Sequence, residues 1–300
     1  MKLFHYPVGG HRNNHASMIR MCKLFDIEFI ESSNPNDLDN MENYDILWLH
    51  TNFIDPNKFP PKLKILYGPQ LFVFPTGPIC GQTNKEWEHK AVFNCLSPWI
   101  KEVFNEISEM KTPLIPLPFG VNTDKFKPLI DIKDRTDYFI YSKYRSPEIF
   151  NHINKMCGKI PHNKNILIYG SYNEEAYLKI LQKSRFGIWI GCHESQGFAL
   201  QEALSCDVPL IVLNVKSLKE EFHSRFIYDH MPQKLNATTV SYWSNACGEV
   251  IYNVNEFIQS YTKLEAHIES YKPRNYILEN LSDSVCMKRI LDYFEFKNTK

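Results

Sequence analysis

The sequence predicts an α/β protein made of two doubly wound domains in tandem, followed by a helical C-terminal tail. Short runs of apolar residues alternate with segments of helical period along most of the 300 residues. Strands that are apolar throughout and separated by helices are typical of parallel sheets covered on both faces. A proline-rich break near the middle separates two such series, and the pattern is wholly helical after Ile251.

The first series occupies the N-terminal third of the chain. Its predicted helices are Ala16–Phe25, which repeats apolar residues on one face, and Pro98–Met110, which has a proline near its start and apolar residues at helical spacing. The predicted strands are Lys2–Tyr6, Ile27–Ile30, Asp45–His50, Lys64–Tyr67 and Val92–Cys95.

The break at residues 113–137 contains four prolines and a glycine, which neither a helix nor a strand tolerates in its interior. It indicates a strand that leaves one domain and a linker that enters the next. We therefore predict an N-terminal domain over 1–120 and a second domain over 121–275. We expect a last helix within 276–300 to pack back on the N-terminal domain.

The second series repeats the alternation. The predicted strands are Tyr138–Ser142, Asn165–Tyr169, Phe186–Ile190 and Val208–Leu213. The predicted helices are Glu148–Cys157, Glu174–Lys183, Gln196–Cys206, Val254–Tyr271 and Tyr276–Phe296.

Composition excludes several classes of protein. Hydrophobic residues make up 43% of the chain, and the 34 Lys and Arg balance the 34 Asp and Glu, which argues against a protein that grips a nucleic-acid backbone. The eight cysteines form no CxxC pair, so buried free thiols in a reducing compartment are expected. There is no apolar run of transmembrane length and no signal-peptide core, so we expect a cytoplasmic protein, with peripheral association with a membrane left open.

Ligands of open parallel sheets bind beyond the carboxyl ends of the strands, and two candidate residues of the first domain lie at such places. Gly10 follows the first strand in a Gly-Gly turn, where the backbone can approach an anion closely, although such a pair is also an ordinary turn. His50 ends the strand DILWLH and suits acid–base work or contact with a hydroxyl, or else a structural role.

Lys143 and Arg145 follow the first strand of the second domain in the segment YSKYR. Alternation along an extended segment would direct both cations to the same side, where they suit a diphosphate. Two solvated surface charges are the alternative interpretation.

The stretch HESQGFALQEAL carries two glutamates, Glu194 and Glu202, with Gly197 between them. A strand ends near Gly191 and a helix starts near Gln196, so the free amides of its first turn, around Gln196, Gly197 and Phe198, favour an anion or hydroxyls. Carboxylates accept hydrogen bonds from vicinal diols, as in riboses and sugars. Metal binding is a weaker interpretation, and a solvated helix residue is the structural alternative for Glu202.

The stretch HESQGFALQEALSCDVPLIV resembles the E-x7-E signature of the retaining GT-B glycosyltransferases of family 4. The matching residues are Glu194, Gly197, Leu200, Glu202, Ala203 and Pro209, whereas Ser195, Gln196 and Asp207 depart from the pattern. PLIPLPFGVNTDKFKP is similar to the segment between the domains in that family, with Asn122 where Asp is usual. SRFGIWI, before the motif, is a third and weaker match.

The resemblance implies two Rossmann-like domains of GT-B type and a donor site for a nucleoside diphosphate sugar in the second. It implies that Glu194 and the amides of Gln196, Gly197 and Phe198 hold the sugar, and that Glu202 holds the ribose. Lys143 and Arg145 are the candidates for the diphosphate, although the cations of the family normally stand about five residues apart. Gly10 would approach the phosphates and His50 the transferred sugar.

The function expected from this resemblance is transfer of a hexose or pentose from a UDP or GDP sugar to a glycan, lipid-linked or other acceptor, with retention of configuration. The catalytic candidates are His50, Lys143, Arg145 and Glu194. No metal or cofactor is expected, because cations on the chain would neutralise the diphosphate. A nucleotide-sugar epimerase or hydrolase of the same fold, or a non-catalytic binding protein, are the alternatives.

Overall fold

Two parallel β-sheets organise the chain. The computed structural model describes residues 1–7, 10–51, 53–69, 91–107, 113–217, 220 and 236–296. The chain divides into one unit formed by residues 1–120 with 281–300 and a second formed by residues 121–280. Each sheet lies in one unit.

The first unit contains a six-stranded sheet whose strands are all parallel, in the order β2-β1-β3-β4-β5-β6. The strands are β1 (Lys2–Tyr6), β2 (Glu28–Glu31), β3 (Ile46–Leu49), β4 (Lys64–Tyr67), β5 (Ala91–Asn94) and β6 (Leu114–Ile115). The helices between them are α1 (Arg12–Leu24) and α2 (Pro98–Ile107). The residues of β3 and β5 are all buried, as expected for strands that are apolar on both faces.

The second unit contains a five-stranded parallel sheet in the order β11-β10-β9-β7-β8. The strands are β7 (Asp137–Ser142), β8 (Asn163–Ile168), β9 (Ser184–Ile190), β10 (Leu210–Leu213) and β11 (Gly248–Ile251). The helices are α3 (Pro147–Met156), α4 (Glu174–Lys183), α5 (Phe198–Ser205), α6 (Phe257–Ala266) and α7 (Pro273–Leu281). Aromatic and aliphatic side chains from β7, β9 and β10 form the core on one face, with Phe257 and Leu264 of α6 packed against them.

The last helix, α8 (Asp283–Tyr293), packs against α1 within the first unit. Arg20 of α1 donates two hydrogen bonds to the Asp283 carboxylate, at 2.8 and 3.1 Å. Arg20 also donates to the carbonyl oxygen of Gly120, which ties the end of the first β series to both helices.

The predicted fold class, two doubly wound α/β domains with a helical end, is confirmed. The helix predicted over Tyr276–Phe296 is instead two helices, because the hydroxyl of Ser282 accepts a hydrogen bond from the amide of Val285 and caps a new helix start. The C-terminal end of the predicted helix Pro98–Met110 lies outside the described residues, as does Gly9 of the Gly-Gly turn. No helix in the described parts of the chain combines the length and apolar character needed to cross a membrane.

Candidate functional site

The strand order of the second sheet brings the candidate residues of that unit to one place. The chain runs from β7 outward to β8, returns to β9 on the other side of β7, and continues to β10 and β11. The carboxyl ends of β7 and β9 therefore form the topological switch point, the usual ligand site of such sheets. The amide of Lys143, just after β7, donates to the carbonyl oxygen of Ile190 at the end of β9, at 2.9 Å.

Lys143 and Glu194 meet at this switch point. Lys143 Nζ donates to Glu194 Oε1 at 2.8 Å, and both side chains are only 14% exposed. Burial by itself would lower the pKa of Lys143, but the adjoining Glu194 carboxylate more than offsets this and the pKa is raised. Lys143 Nζ also lies 4.7 Å from the ring centre of Tyr169, a cation–π contact. Lys143 is therefore held as a buried, fixed positive charge.

Arg145 lies in the same place but is not aligned as expected. Tyr144, between the two cations, has a left-handed backbone with φ of 52°, so the segment is not extended there and the simple alternation is wrong. Arg145 nevertheless reaches the end of β9, because its Nη1 donates to the carbonyl oxygen of Gly191 at 3.3 Å. Its side chain is 4% exposed, with the Glu220 carboxylate 3.9 Å away.

Gly197 precedes the helix of the motif instead of lying within its first turn, as the sequence had indicated. Its backbone is left-handed, with φ of 87°, and α5 begins at Phe198. A Cβ atom on Gly197 would lie 3.2 Å from Cβ of Glu194, so this glycine lets the loop fold closely over the glutamate. Gln196 is buried and exchanges side-chain and backbone hydrogen bonds with Gln201, which fixes the start of the helix.

Glu202 lies on α5 and is half-buried. Two tyrosines of the second unit, Tyr172 and Tyr177, interact electrostatically with this carboxylate. Burial raises the pKa of both phenols, and the negative charge of Glu202 raises both pKa values further. Tyr177 donates to the carbonyl oxygen of Ala199, in the first turn of α5, at 2.6 Å. The two glutamates of the motif thus lie along one end of the sheet, beside a group of tyrosines.

The aromatic residues Tyr169 and Tyr172 belong to this site and were not among the sequence candidates. Both follow β8, the strand beside β7, so their position after a strand of the parallel sheet was the available signal. Tyr169 is 45% exposed and packs edge to face with Tyr144, with ring centres 5.4 Å apart.

Gly10 and His50 meet at the corresponding switch point of the first sheet, between β1 and β3. A Cβ atom on Gly10 would lie 1.9 Å from His50 Nδ1, so only glycine allows this approach. His50 is 1% exposed, stacks on Trp48 and has Asn14 Nδ2 at 3.4 Å from its Nε2. Burial, together with neighbouring histidines, lowers the pKa of His50 to about 3, so the ring is neutral at physiological pH.

The Lys143 site of the second unit and the His50 site of the first unit differ in the chemical groups that they offer a ligand. The site of the second unit offers two cations, the amides at the start of a helix and carboxylates, which together suit an anion linked to hydroxyl groups. The His50 site is a cavity of about 280 Å³ that is also lined by His5, His15 and Glu31. Burial lowers the pKa of His5 to about 4 despite its hydrogen bond to Glu31.

A scan against models of known protein families finds no match, and a search of curated proteins finds none either. Solved structures do share the fold. The lipopolysaccharide outer core galactosyltransferase WaaB is similar with a TM-score of 0.55 and 13% identity, over 98% of this chain and 99% of that chain. Sucrose-phosphate synthase from Thermosynechococcus elongatus is similar with a TM-score of 0.58 and 9% identity, over 98% of both chains.

HepE of Anabaena, solved in complex with UDP, is similar with a TM-score of 0.56 and 9% identity, over 98% of this chain and 99% of that chain. At such low identities the likeness concerns the fold alone. The chain therefore has the GT-B fold, with two Rossmann-like units and a helical C-terminal end.

Proposed function

We propose that the protein is a glycosyltransferase that transfers a sugar from a nucleoside diphosphate sugar to a glycan, lipid-linked or other acceptor. The observation that carries the proposal is the buried Lys143–Glu194 pair at the β7/β9 switch point. Glu194 lies in the loop that leads into helix α5, whose N-cap residue is Gly197. A fixed cation, helix amides and carboxylates in one place match the three parts of such a donor: diphosphate, sugar and ribose.

In this proposal Lys143 and Arg145 stabilise the negative charge that develops on the departing diphosphate. Groups already held in position cost little reorganisation during the reaction, and such preorganised charges are a large part of catalysis. Glu194, which orients Lys143, also accepts hydrogen bonds from the donor sugar, together with the amides of Gln196, Gly197 and Phe198. Glu202 holds the ribose hydroxyls.

The proposal includes retention of the anomeric configuration, as in the family that the motif resembles. The leaving phosphate then helps to deprotonate the acceptor on the same face of the sugar. Gly10 and His50 would serve the phosphates and the transferred sugar. Because Lys143 and Arg145 neutralise the diphosphate, we expect donor binding to need no metal, so EDTA should leave the affinity for UDP unchanged.

The donor is tested by incubating the protein with UDP and GDP sugars and measuring nucleotide release with and without candidate acceptors. UDP sugars come first, because HepE, which shares the fold, was solved with UDP. Release that depends on an acceptor supports transfer. Isomerised or hydrolysed donor without an acceptor would replace transfer by epimerase or hydrolase activity, and binding without turnover would indicate a non-catalytic protein.

The site is tested with Lys143→Met, Glu194→Gln and Glu202→Gln. We expect each variant to lose about 100-fold or more in kcat/KM, or a comparable factor in donor affinity, the scale seen when one electrostatic contact of an active site is removed. Lys179→Met and Glu175→Gln are matched controls, since these residues form an exposed ion pair in the same unit. Unchanged kinetics in folded Lys143→Met and Glu194→Gln would overturn the donor-site assignment.

A further inference from the structure

Three side chains that could bind a metal converge in the first unit, in the cavity that Gly10 and His50 also line. They are His5 on β1, His15 on α1 and Glu31 at the end of β2. One donor atom from each lies within 4.8 Å of the other two. None of the three is assigned a role in the proposed function.

The backbone places these residues together. His5 and Glu31 are direct partners in the parallel register of β1 and β2. His15 lies in the first turns of α1, and its ring stacks on His5 with ring centres 5.2 Å apart. The His5 ring is also stacked on Trp48 at 4.0 Å, and the residue is only 1% exposed. The cluster is therefore preorganised by a sheet register and two ring contacts.

Glu31 lies between the two histidine rings. Its Oε2 atom lies 2.7 Å from His5 Nδ1 and 2.6 Å from His15 Nε2, so one oxygen faces two ring nitrogens. A cation at this point would accept electron pairs from the imidazole nitrogens and from the carboxylate.

We propose that His5, His15 and Glu31 bind one divalent transition-metal ion of the zinc class. Two imidazole nitrogens and one carboxylate oxygen are a donor set that suits Zn²⁺, and sites with three protein ligands keep a further position for water or a substrate oxygen. That position faces the cavity of about 280 Å³, which Arg12 also lines. The guanidinium of Arg12 there favours an anionic oxygen as the additional ligand.

The test is titration of the full-length protein with Zn²⁺ alone by calorimetry, after treatment with EDTA and dialysis. We expect one ion per chain, with affinity reduced about tenfold or more in His15→Gln and in Glu31→Gln, since changes even beyond the direct ligands have effects of that size. Both positions are partly exposed, at 34% and 38%, so both variants should fold. His152→Gln, which removes an exposed histidine of the second unit, is the matched control.

Thermal unfolding with and without Zn²⁺ provides a second readout. An ion that binds only the folded state raises Tm in the wild type and in His152→Gln, whereas His15→Gln and Glu31→Gln should lose that shift. Co²⁺ in place of Zn²⁺ should give the wild type a visible absorption band that the two site variants lack. The proposal is overturned if the wild type binds no stoichiometric ion, or if both site variants bind it as tightly as the control.

Discussion

At the scale of single residues, the Lys143–Glu194 pair has the most consequence for the proposed function. Two charges that are only 14% exposed stabilise each other, because the attraction between them offsets the desolvation of each. Removing one partner leaves the other charge largely buried and uncompensated. The pair therefore contributes to folding as well as to the proposed binding of a diphosphate.

We predict that Lys143→Met and Glu194→Gln will each destabilise the protein and that the double variant will cost less than the sum of the two. The coupling between them should be about 1 kcal/mol or more, within the range for residues in direct contact. Urea unfolding of the four proteins in a double-mutant cycle measures it. The exposed pair Lys179–Glu175 provides a comparison cycle, in which solvent screening should make the coupling clearly smaller. Equal coupling in the two cycles would contradict the role given to burial.

Lys143 and Glu194 could be singled out from the sequence as candidates, but their contact with each other could not be predicted. Lys143 and Glu194 follow two strands that are not consecutive, and the sequence does not state that β7 and β9 are neighbours. The left-handed backbone of Tyr144 is set by the surrounding structure, since a tyrosine has no local preference for it. The group formed by His5, His15 and Glu31 could not be predicted from the sequence for the same reason, because its three members come from three different elements.

At the scale of elements, Gly120 joins the end of the first β series to α8. A Cβ atom on Gly120 would lie 2.4 Å from the Cα atom of Asp283, a contact with backbone that cannot move aside easily. The carbonyl oxygen of Gly120 also accepts hydrogen bonds from Ser17 and Arg20 of α1. This glycine is therefore required by the close approach of the α8 N-terminus.

We predict that Gly120→Ala lowers the free energy of unfolding by about 1–3 kcal/mol, the usual cost of forcing an extra carbon into a packed contact. Gly158→Ala is the matched control, since a Cβ atom there would meet nothing within 4 Å. The control should change stability by no more than about 0.5 kcal/mol. The measurement is the urea unfolding midpoint of each variant and of the wild type. If Gly120→Ala had the same midpoint as the wild type, α8 would be able to move away from the added carbon at no cost.

Most elements could be predicted from the sequence, because strands of a covered parallel sheet are apolar throughout and stand out between helical periods. Strands β1 and β4 and helix α4 have the predicted bounds. Strand β6 pairs over only two residues, which is too short to produce a pattern. The division between α7 and α8 was missed because helical periodicity continues on both sides of Ser282, and a serine in such a series is not by itself a stop.

At the scale of the whole molecule, buried cysteine thiols in both units make the stability of the protein depend on pH in the alkaline range. Burial raises the pKa of five cysteines to about 12 and that of Cys247 to about 11; the five are Cys22, Cys95, Cys157, Cys206 and Cys286. An unfolded cysteine has a pKa of about 8.5. Above that pH the unfolded chain releases protons that the folded chain retains, so the free energy of unfolding falls as pH rises, up to the raised pKa values.

We therefore predict a steep loss of stability between pH 8 and pH 10. Each of these thiols should contribute about 2 kcal/mol over that interval, and six together are comparable with the total stability of an ordinary domain, about 5–15 kcal/mol. The measurement is the urea midpoint as a function of pH in the presence of a reducing agent. Working below pH 10 limits the contribution of tyrosines, whose ordinary pKa is about 10.

The cause can be separated from general alkaline effects with Cys286→Ala. Whatever this variant loses in packing at pH 7, the slope of its unfolding free energy against pH should be smaller than that of the wild type by about one thiol's share. Cys286 is 1% exposed, so its thiol is fully shielded in the folded state. A midpoint that does not change between pH 8 and pH 10, or an unchanged slope in Cys286→Ala, would mean that the thiols ionise in the folded protein as readily as in the unfolded chain.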